Sequence, residues 1–399
     1  MRRVYLDHSA TTPVDPEVAE LMMTYYTEKY GNPSSVHSFG RETKAALENA
    51  RESVANLMNA EPTEITFTSG GTEADNLAIF GVAEAYSKKG KHIITSAVEH
   101  NAVIDTCEFL AKNGYELTIL PVDEEGFISV DDVAKAIRPD TILITIMHAN
   151  NEVGTIQPIA EIGKIAKEKD VIFHVDAVQS FGKIPVDVKA MNVDLMTVSS
   201  HKIYGPKGVG ALYIRRGVRV IPRVHGGGQE RKRRSGTENT PGIIGFGKAC
   251  ELAAQRMAQD AEREAALRDK LLEGIMERID YVKLNGPRGE NRLPGNLNVS
   301  IQFIEGEALL LSLDLMGIAA SSGSACTSGS LDPSHVLLAM GLSHEIAHGS
   351  LRFSFGRQNT EEDVDYVLEQ LPKIVERLRM MSPLYDQVKH SKTQKANAL

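Results

Sequence analysis

Apolar residues run in short, nearly unbroken stretches through the first half of this chain and recur at helical spacing through much of the second. Ile65 to Thr68, His92 to Thr95, Ile142 to Ile146, Val171 to Val175 and Leu195 to Val198 are β-branched runs of four or five residues, and helical patterns separate them. Strands that are apolar along their whole length are covered on both faces, and intervening helices are the crossovers a parallel sheet requires. The pattern predicts an α/β fold with a mainly parallel central sheet. One long helical pattern from about Gly242 to Arg278 then leads to the strand-like Asn296 to Ile301 and a closing helix over 361–378. We place the change of domain within that long helix, with a smaller α+β unit after it.

Ligands of such sheets bind beyond the carboxyl ends of the strands. Here those ends carry Thr68 to Thr72, Glu99-His100, His148 to Glu152, Asp176 to Gln179 and Ser199 to Lys202, so polar residues converge on one rim.

Composition narrows the classes. With 399 residues, 42% hydrophobic and 24% charged, the chain can bury a large core, and a net charge of -9 argues against broad nucleic-acid binding. The basic cluster Arg231 to Arg234 reads as a solvated or phosphate-adjacent loop, or as a docking patch for an acidic partner. Three widely spaced cysteines form neither a disulfide framework nor a paired metal-ligand signature. No apolar stretch has signal-peptide or membrane-spanning character, so a soluble cytoplasmic protein without membrane contact is expected.

The chemistry starts at Lys202, in Ser199-Ser200-His201-Lys202-Ile203-Tyr204-Gly205-Pro206. A lysine amine can hold an aldehyde cofactor as an imine and later carry a proton. Alone it reads as a surface charge, but Asp176 ends another strand on the same rim, where a carboxylate can keep a pyridine nitrogen protonated. Asp176 could instead cap a helix. The turn Thr68-Ser69-Gly70-Gly71-Thr72 opens an apolar helix. Its glycines and free N–H groups suit a phosphate, although an ordinary strand-to-helix turn has the same look. Ser199 and His201 can bond that phosphate, and Gln179 and Asn151 can reach the ring oxygen. His100 is a candidate for stacking and proton exchange, or is plain polar surface. Arg352, alone in the β-alternating Gly349 to Phe355, could grip a carboxylate in a two-bond fork or form a surface ion pair. Cys326, among Ser, Gly, Ala and Thr, suits an exposed nucleophile, whereas Cys107 and Cys250 fall on apolar helical faces and read as packing.

These residues sit in a series of motifs: Tyr5 to Pro13, Tyr30 to Ser35, His148 to Gly154, His174 to Ser180, Ser200 to Gly210, Arg234 to Asn239 and Ser321 to Ser330. Taken in order, nearly end to end, they resemble the pyridoxal-phosphate-dependent cysteine desulfurases, and the stretch around Cys326 resembles their long-loop subgroup of nitrogen-fixation and iron–sulfur-cluster type. One departure is His8, where tyrosine or asparagine is commoner.

The resemblance implies an aminotransferase-like fold of the aspartate aminotransferase type (fold type I), with 13–255 as the large cofactor-binding domain, 1–12 plus 256–385 as the small domain, and 386–399 as a disordered tail. It implies conversion of L-cysteine to L-alanine with sulfur carried as a persulfide on Cys326. Lys202, Cys326 and His100 would be catalytic. Gly71, Thr72, His100, Asn151, Asp176, Gln179, Ser199, His201 and Lys202 would bind pyridoxal 5'-phosphate, with Thr237 reaching the other subunit of a homodimer. Asn32 and Arg352 would hold the substrate carboxylate. An iron–sulfur scaffold protein would accept the sulfur, and no fixed metal site is expected beyond transient ligation of a cluster by Cys326. A selenocysteine lyase, a cysteine-sulfinate lyase and a non-catalytic sulfur-relay subunit are the alternatives.

Overall fold

The five apolar runs become strands within a residue of their predicted limits, and two further strands complete a seven-stranded sheet. In order across the sheet these are Ile65–Thr68, Gly210–Ile214, Leu195–Ser199, Ile172–Asp176, Thr141–Thr145, His92–Ser96 and Glu116–Leu120, and only Gly210–Ile214 runs against the rest. This computed structural model describes residues 2–322 and 333–386. Cys326 and the tail from 387 lie outside the described residues.

The two unexpected strands have physical reasons. Glu116–Leu120 is an edge strand with Glu116 and Ile119 exposed, so its apolar signal is diluted. Gly210–Ile214 returns close after the Leu195–Ser199 strand as an antiparallel neighbour, where no crossover helix announces it. Every residue of Leu195–Ser199, His92–Ser96 and Thr141–Thr145 is buried, as continuous apolar runs demand.

Helices cover both faces. Ala74, Leu77, Ala78 and Ile79 of the helix Gly71–Tyr86 pack with Val103, Cys107 and Leu110 of Asn101–Lys112 on one side. Val54, Phe173, Phe181 and Phe246 belong to the larger core on the other. Each fully buried Val, Leu, Ile or Phe among these stabilises the fold by about 1.5–3 kcal/mol relative to exposure.

The long helix is real: Thr240–Arg278, 39 residues, started by the Asn239 side chain, which accepts from Gly242 N–H at 3.3 Å, and by Pro241 in its first turn. Its beginning gives Ile243, Phe246 and Leu252 to the large core, whereas Leu267, Leu271 and Ile275 enter a separate core with the closing helix Glu361–Arg379. That second core rests on a three-stranded antiparallel sheet, with Asn296–Ile301 between Ser350–Ser354 and Val282–Leu284.

The first residues join the two cores. Val4–Tyr5 pairs with Ile318–Ala319 beside the second core, and then Thr12 N–H donates to His201 O at 3.0 Å and Asp15 N–H to Tyr204 O at 2.9 Å. The segment 7–12 is thus a strap across the rim. No helix among the described residues is long and apolar enough to cross a membrane.

Candidate active site

Lys202 closes a short 3-10 turn, Ser200–Lys202, at the carboxyl end of the buried strand Leu195–Ser199. The chain then reverses through Tyr204, whose φ is 66°, and Gly205, where an added Cβ would stand 2.0 Å from Ser200 Oγ. That reversal projects the lysine back over the rim. Its Nζ donates to the carbonyl oxygens of Ser9 (2.5 Å) and Ala10 (2.7 Å) in the strap. Gln179 Nε2 donates to the same Ser9 oxygen at 2.9 Å, and His201 Nδ1 meets Thr11 Oγ1 at 3.1 Å. The strap therefore gathers three of the predicted residues. Burial and the neighbouring Lys202 and Lys207 charges push the His201 imidazole down to about 4, so it is neutral at neutral pH.

Beside the lysine lies an anion cradle. The helix Gly71–Tyr86 starts without a side-chain cap, and Gly70 precedes it at φ 156°. A Cβ on Gly71 would come within 2.8 Å of Val178 Cγ2, so the backbone can approach closely only as glycine. Ser199 Oγ is buried there without a hydrogen-bond partner among the described residues. Uncapped N–H groups and a bare buried hydroxyl together fit an anionic group. Thr72 is exposed at the mouth. Glu73 accepts from Ser69 N–H at 2.9 Å and from Arg234 Nε at 2.8 Å, which anchors the segment leading to Thr237 beside the cradle. Thr237 itself is exposed. Of the basic cluster, Arg234 is thereby paired with Glu73, and Lys232 stays exposed.

The floor is acidic. Asp176 is buried at its strand end, and Oδ1 accepts from Val178 N–H at 2.9 Å. Burial raises its carboxyl above the usual range, with His100 and Lys202 pulling back down. Asp75, from the helix above, is also raised well above the usual carboxylate range, by burial and then by the Asp176 charge. His174, on the same strand as Asp176, is held by Thr145 and Thr197 hydroxyls at 2.8 and 3.0 Å and lies 3.6 Å from Asp75 Oδ1. Burial takes its imidazole down to about 3. His100 starts the helix Asn101–Lys112, where its Nδ1 accepts from Ala102 N–H at 3.1 Å, and it is half-buried at the rim.

Arg352 is not a surface residue. Its side chain is 3% exposed; Nη2 donates to Asp7 Oδ1 at 3.0 Å and Nη1 to Asn151 O at 3.0 Å. The surface-ion-pair reading fails because all five residues of the strand Ser350–Ser354 are buried between the second core and the strap. Asn151, half-buried, thus meets Arg352 through its backbone. Asn32 lies on an exposed loop; its side-chain oxygen accepts from Ser34 N–H at 2.9 Å, and no hydrogen bond joins it to Arg352 among the described residues.

Cys326 lies outside the described residues, but both flanks are held at the rim. Ser321 exchanges backbone hydrogen bonds with Arg352, and Ser334 Oγ donates to Glu152 Oε2 at 2.5 Å. Cys107 and Cys250 are buried packing residues, and burial pushes both thiols well above their usual range.

With this arrangement in place, comparison with known proteins is decisive. The family model for class-V aminotransferases matches residues 4–367. Cysteine desulfurase IscS of Clostridium botulinum is 57% identical over 99% of this chain and all of its own length, and the IscS of Methanosarcina thermophila is 57% identical over 96% of this chain and 94% of its own. The chain is a member of the cysteine desulfurase family. A solved NifS-like protein superposes on 94% of this chain and all of its own at a TM-score of 0.89 with 43% identity. A structure titled as SspA in complex with cysteine matches 90% of this chain and all of its own at 0.80 with 40% identity. The aminotransferase-like α/β architecture is shared throughout.

Sequence reasoning gave no role to several titratable residues that this desulfurase fold gathers at the rim: buried Asp75, Glu99 and Glu152, and half-buried Asp7 and Lys183. Asp7 stood inside a recognised motif, and Asp75 three residues beyond the Thr68 to Thr72 turn. Their surroundings, however, come from partners far away in the chain.

Proposed function

We propose that this protein is a pyridoxal-phosphate-dependent cysteine desulfurase that makes L-alanine from L-cysteine and carries the sulfur on Cys326 for delivery to an iron–sulfur scaffold protein. The observation that carries the reading is the juxtaposition of Lys202, the uncapped Gly70-Gly71 helix start with its bare Ser199 hydroxyl, and buried Asp176 on one rim.

The residues suit that cofactor. Gly71, Thr72, Ser199 and His201 would hold its phosphate, Asp176 its ring nitrogen, and Gln179 and Asn151 its ring oxygen, with His100 against the ring. When bound, it supplies an electron sink for a carbanion at the substrate's Cα.

Lys202 removes the Cα proton, and the Ser9 and Ala10 carbonyls orient its amine. Asp176 would pair with the ring nitrogen, and the Lys202 and His100 charges favour its ionised form against the burial that raises its carboxyl. Arg352, with Asn32, holds the substrate carboxylate. Cys326 as thiolate attacks the substrate sulfur; the S–S bond forms, the Cβ–S bond breaks, and its electron pair is protonated to give alanine. The balance of one thiol and one cysteine to one persulfide and one alanine needs no outside oxidant. Cys326 stands five residues beyond Ser321, a covalent reach of at most about 18 Å from Arg352's strand.

A homodimer belongs to the same proposal. Tyr30, Val36 and Phe39 expose apolar surface beside Asn32, and exposed Thr237 would serve a second copy's cofactor. So do the cytoplasmic setting and the division into domains at 13–255 and 1–12 with 256–385.

Lys202→Ala tests the reading. The variant is expected to lose the absorbance of the lysine-linked cofactor and all alanine formation from L-cysteine. Native alanine formation by this variant would remove its centre.

A further inference from the structure

Arg352 already faces a carboxylate of its own chain. Asp7 meets it through one oxygen only, at Nη2, while Nη1 is taken by the Asn151 carbonyl and Nε has no partner among the described residues although it is buried. A guanidinium has five N–H groups, and its Nε–Nη2 edge is the one that takes a carboxylate side-on in two parallel bonds. Asp7 fills half of that edge. A buried Nε–H left bare is costly, and a ligand carboxylate would complete it.

Asp7 also differs from its partner in setting. Its side chain is 21% exposed against 3% for Arg352, and it stands on the strap that holds Lys202. Its backbone oxygen is fixed by Tyr5 OH (3.1 Å) and Ala10 N–H (3.0 Å), so the carboxylate hangs from a rigid point at the solvent side of a buried cation.

We infer that Asp7 is a placeholder for the substrate carboxylate: it neutralises Arg352 between turnovers, gives up or shares the Nε–Nη2 edge when an α-amino acid enters, and so sets the affinity for that carboxylate. Asp7 is on this account a positioning residue acting through Arg352. The inference rests on the proposed assignment of Arg352 to the substrate carboxylate.

The test is equilibrium binding of L-alanine and of L-alaninamide, which lacks the carboxylate charge, to the cofactor-loaded protein, followed by its absorbance spectrum, with thermal melting as a check of folding. Asp7→Asn is expected to lower the dissociation constant for L-alanine about tenfold, the order expected for removing one like charge in a half-solvated site, and to leave L-alaninamide unchanged. Asp7→Glu, whose longer carboxylate can cover both Nε and Nη2, is expected to raise the constant for L-alanine and again spare L-alaninamide. A purely structural Asp7 would make both variants weaken both ligands alike, and that result overturns the inference. So does wild-type protein that binds the two ligands equally. Conversion of L-cysteine to L-alanine is measured on the same wild-type preparation; its absence, with the alanine and alaninamide contrast intact, would remove the desulfurase reading and leave Asp7's role standing.

Discussion

Glu99 shows what burial does to a single carboxyl at this rim. Burial pushes it up to about 8 although its Oε1 accepts from Ser96 Oγ at 2.6 Å and from Met147 N–H at 3.0 Å, and Asp176 raises it further. Between its ordinary value near 4.5 and about 8, the folded protein binds a proton that the unfolded chain does not. The stability this group contributes is therefore full below the unfolded value and is lost as pH rises through about 8. Glu99→Gln keeps the shape and removes the titration, so its stability relative to wild type should rise between pH 5 and pH 9 by on the order of a few kcal/mol. Denaturant unfolding at several pH values checks this, and a difference that is flat with pH would refute it. At this scale Lys202 and Asp176 were legible because a charged residue closing an apolar strand stands out in sequence. Glu99, Asp75 and Asp7 were not, since each acquires its character from distant partners; Asp7 and Arg352 are 345 positions apart.

Between elements, the close packing of the long helix Thr240–Arg278 against Ser38–Leu57 depends on Gly247. A Cβ there would stand 2.5 Å from Ala50 Cα and 2.6 Å from its Cβ, which are atoms that cannot swing aside. Alanine in a helix interior gains about 1 kcal/mol over glycine by propensity, whereas forcing a packed interface apart costs about 1–3 kcal/mol. Gly247→Ala should therefore lower stability on balance, by up to about 2 kcal/mol in urea unfolding. Gly274→Ala on the same helix should cost less, because its Cβ would meet the flexible end of Leu368. Equal effects at the two positions would contradict this packing account. The helix itself was readable from its period, and the buried strands from their unbroken apolar runs. Pairing was not: nothing local in Gly210–Ile214 says that it runs antiparallel between two strands that are parallel to each other.

For the whole molecule, function depends on how two cores meet. The strap 7–12 touches Lys202, Gln179 and His201 on one side and Arg352 on the other, so the parts of the site that would hold cofactor and substrate are tied by one segment. Sequence reading placed Lys202, His201 and Gln179 on one rim from the strand ends, but joined Asn32 and Arg352 to them only through a family resemblance, because no periodicity reveals that residues near the two ends of the chain share a cleft. The central claim is that cysteine's sulfur is transferred to Cys326. Mass spectrometry of the cofactor-loaded protein after L-cysteine is added, with peptide mapping and an alanine assay, tests it most directly. The account predicts one added sulfur on the Cys326 peptide together with alanine release. Alanine formed with Cys326 never modified, or neither product from fully loaded protein, would contradict it.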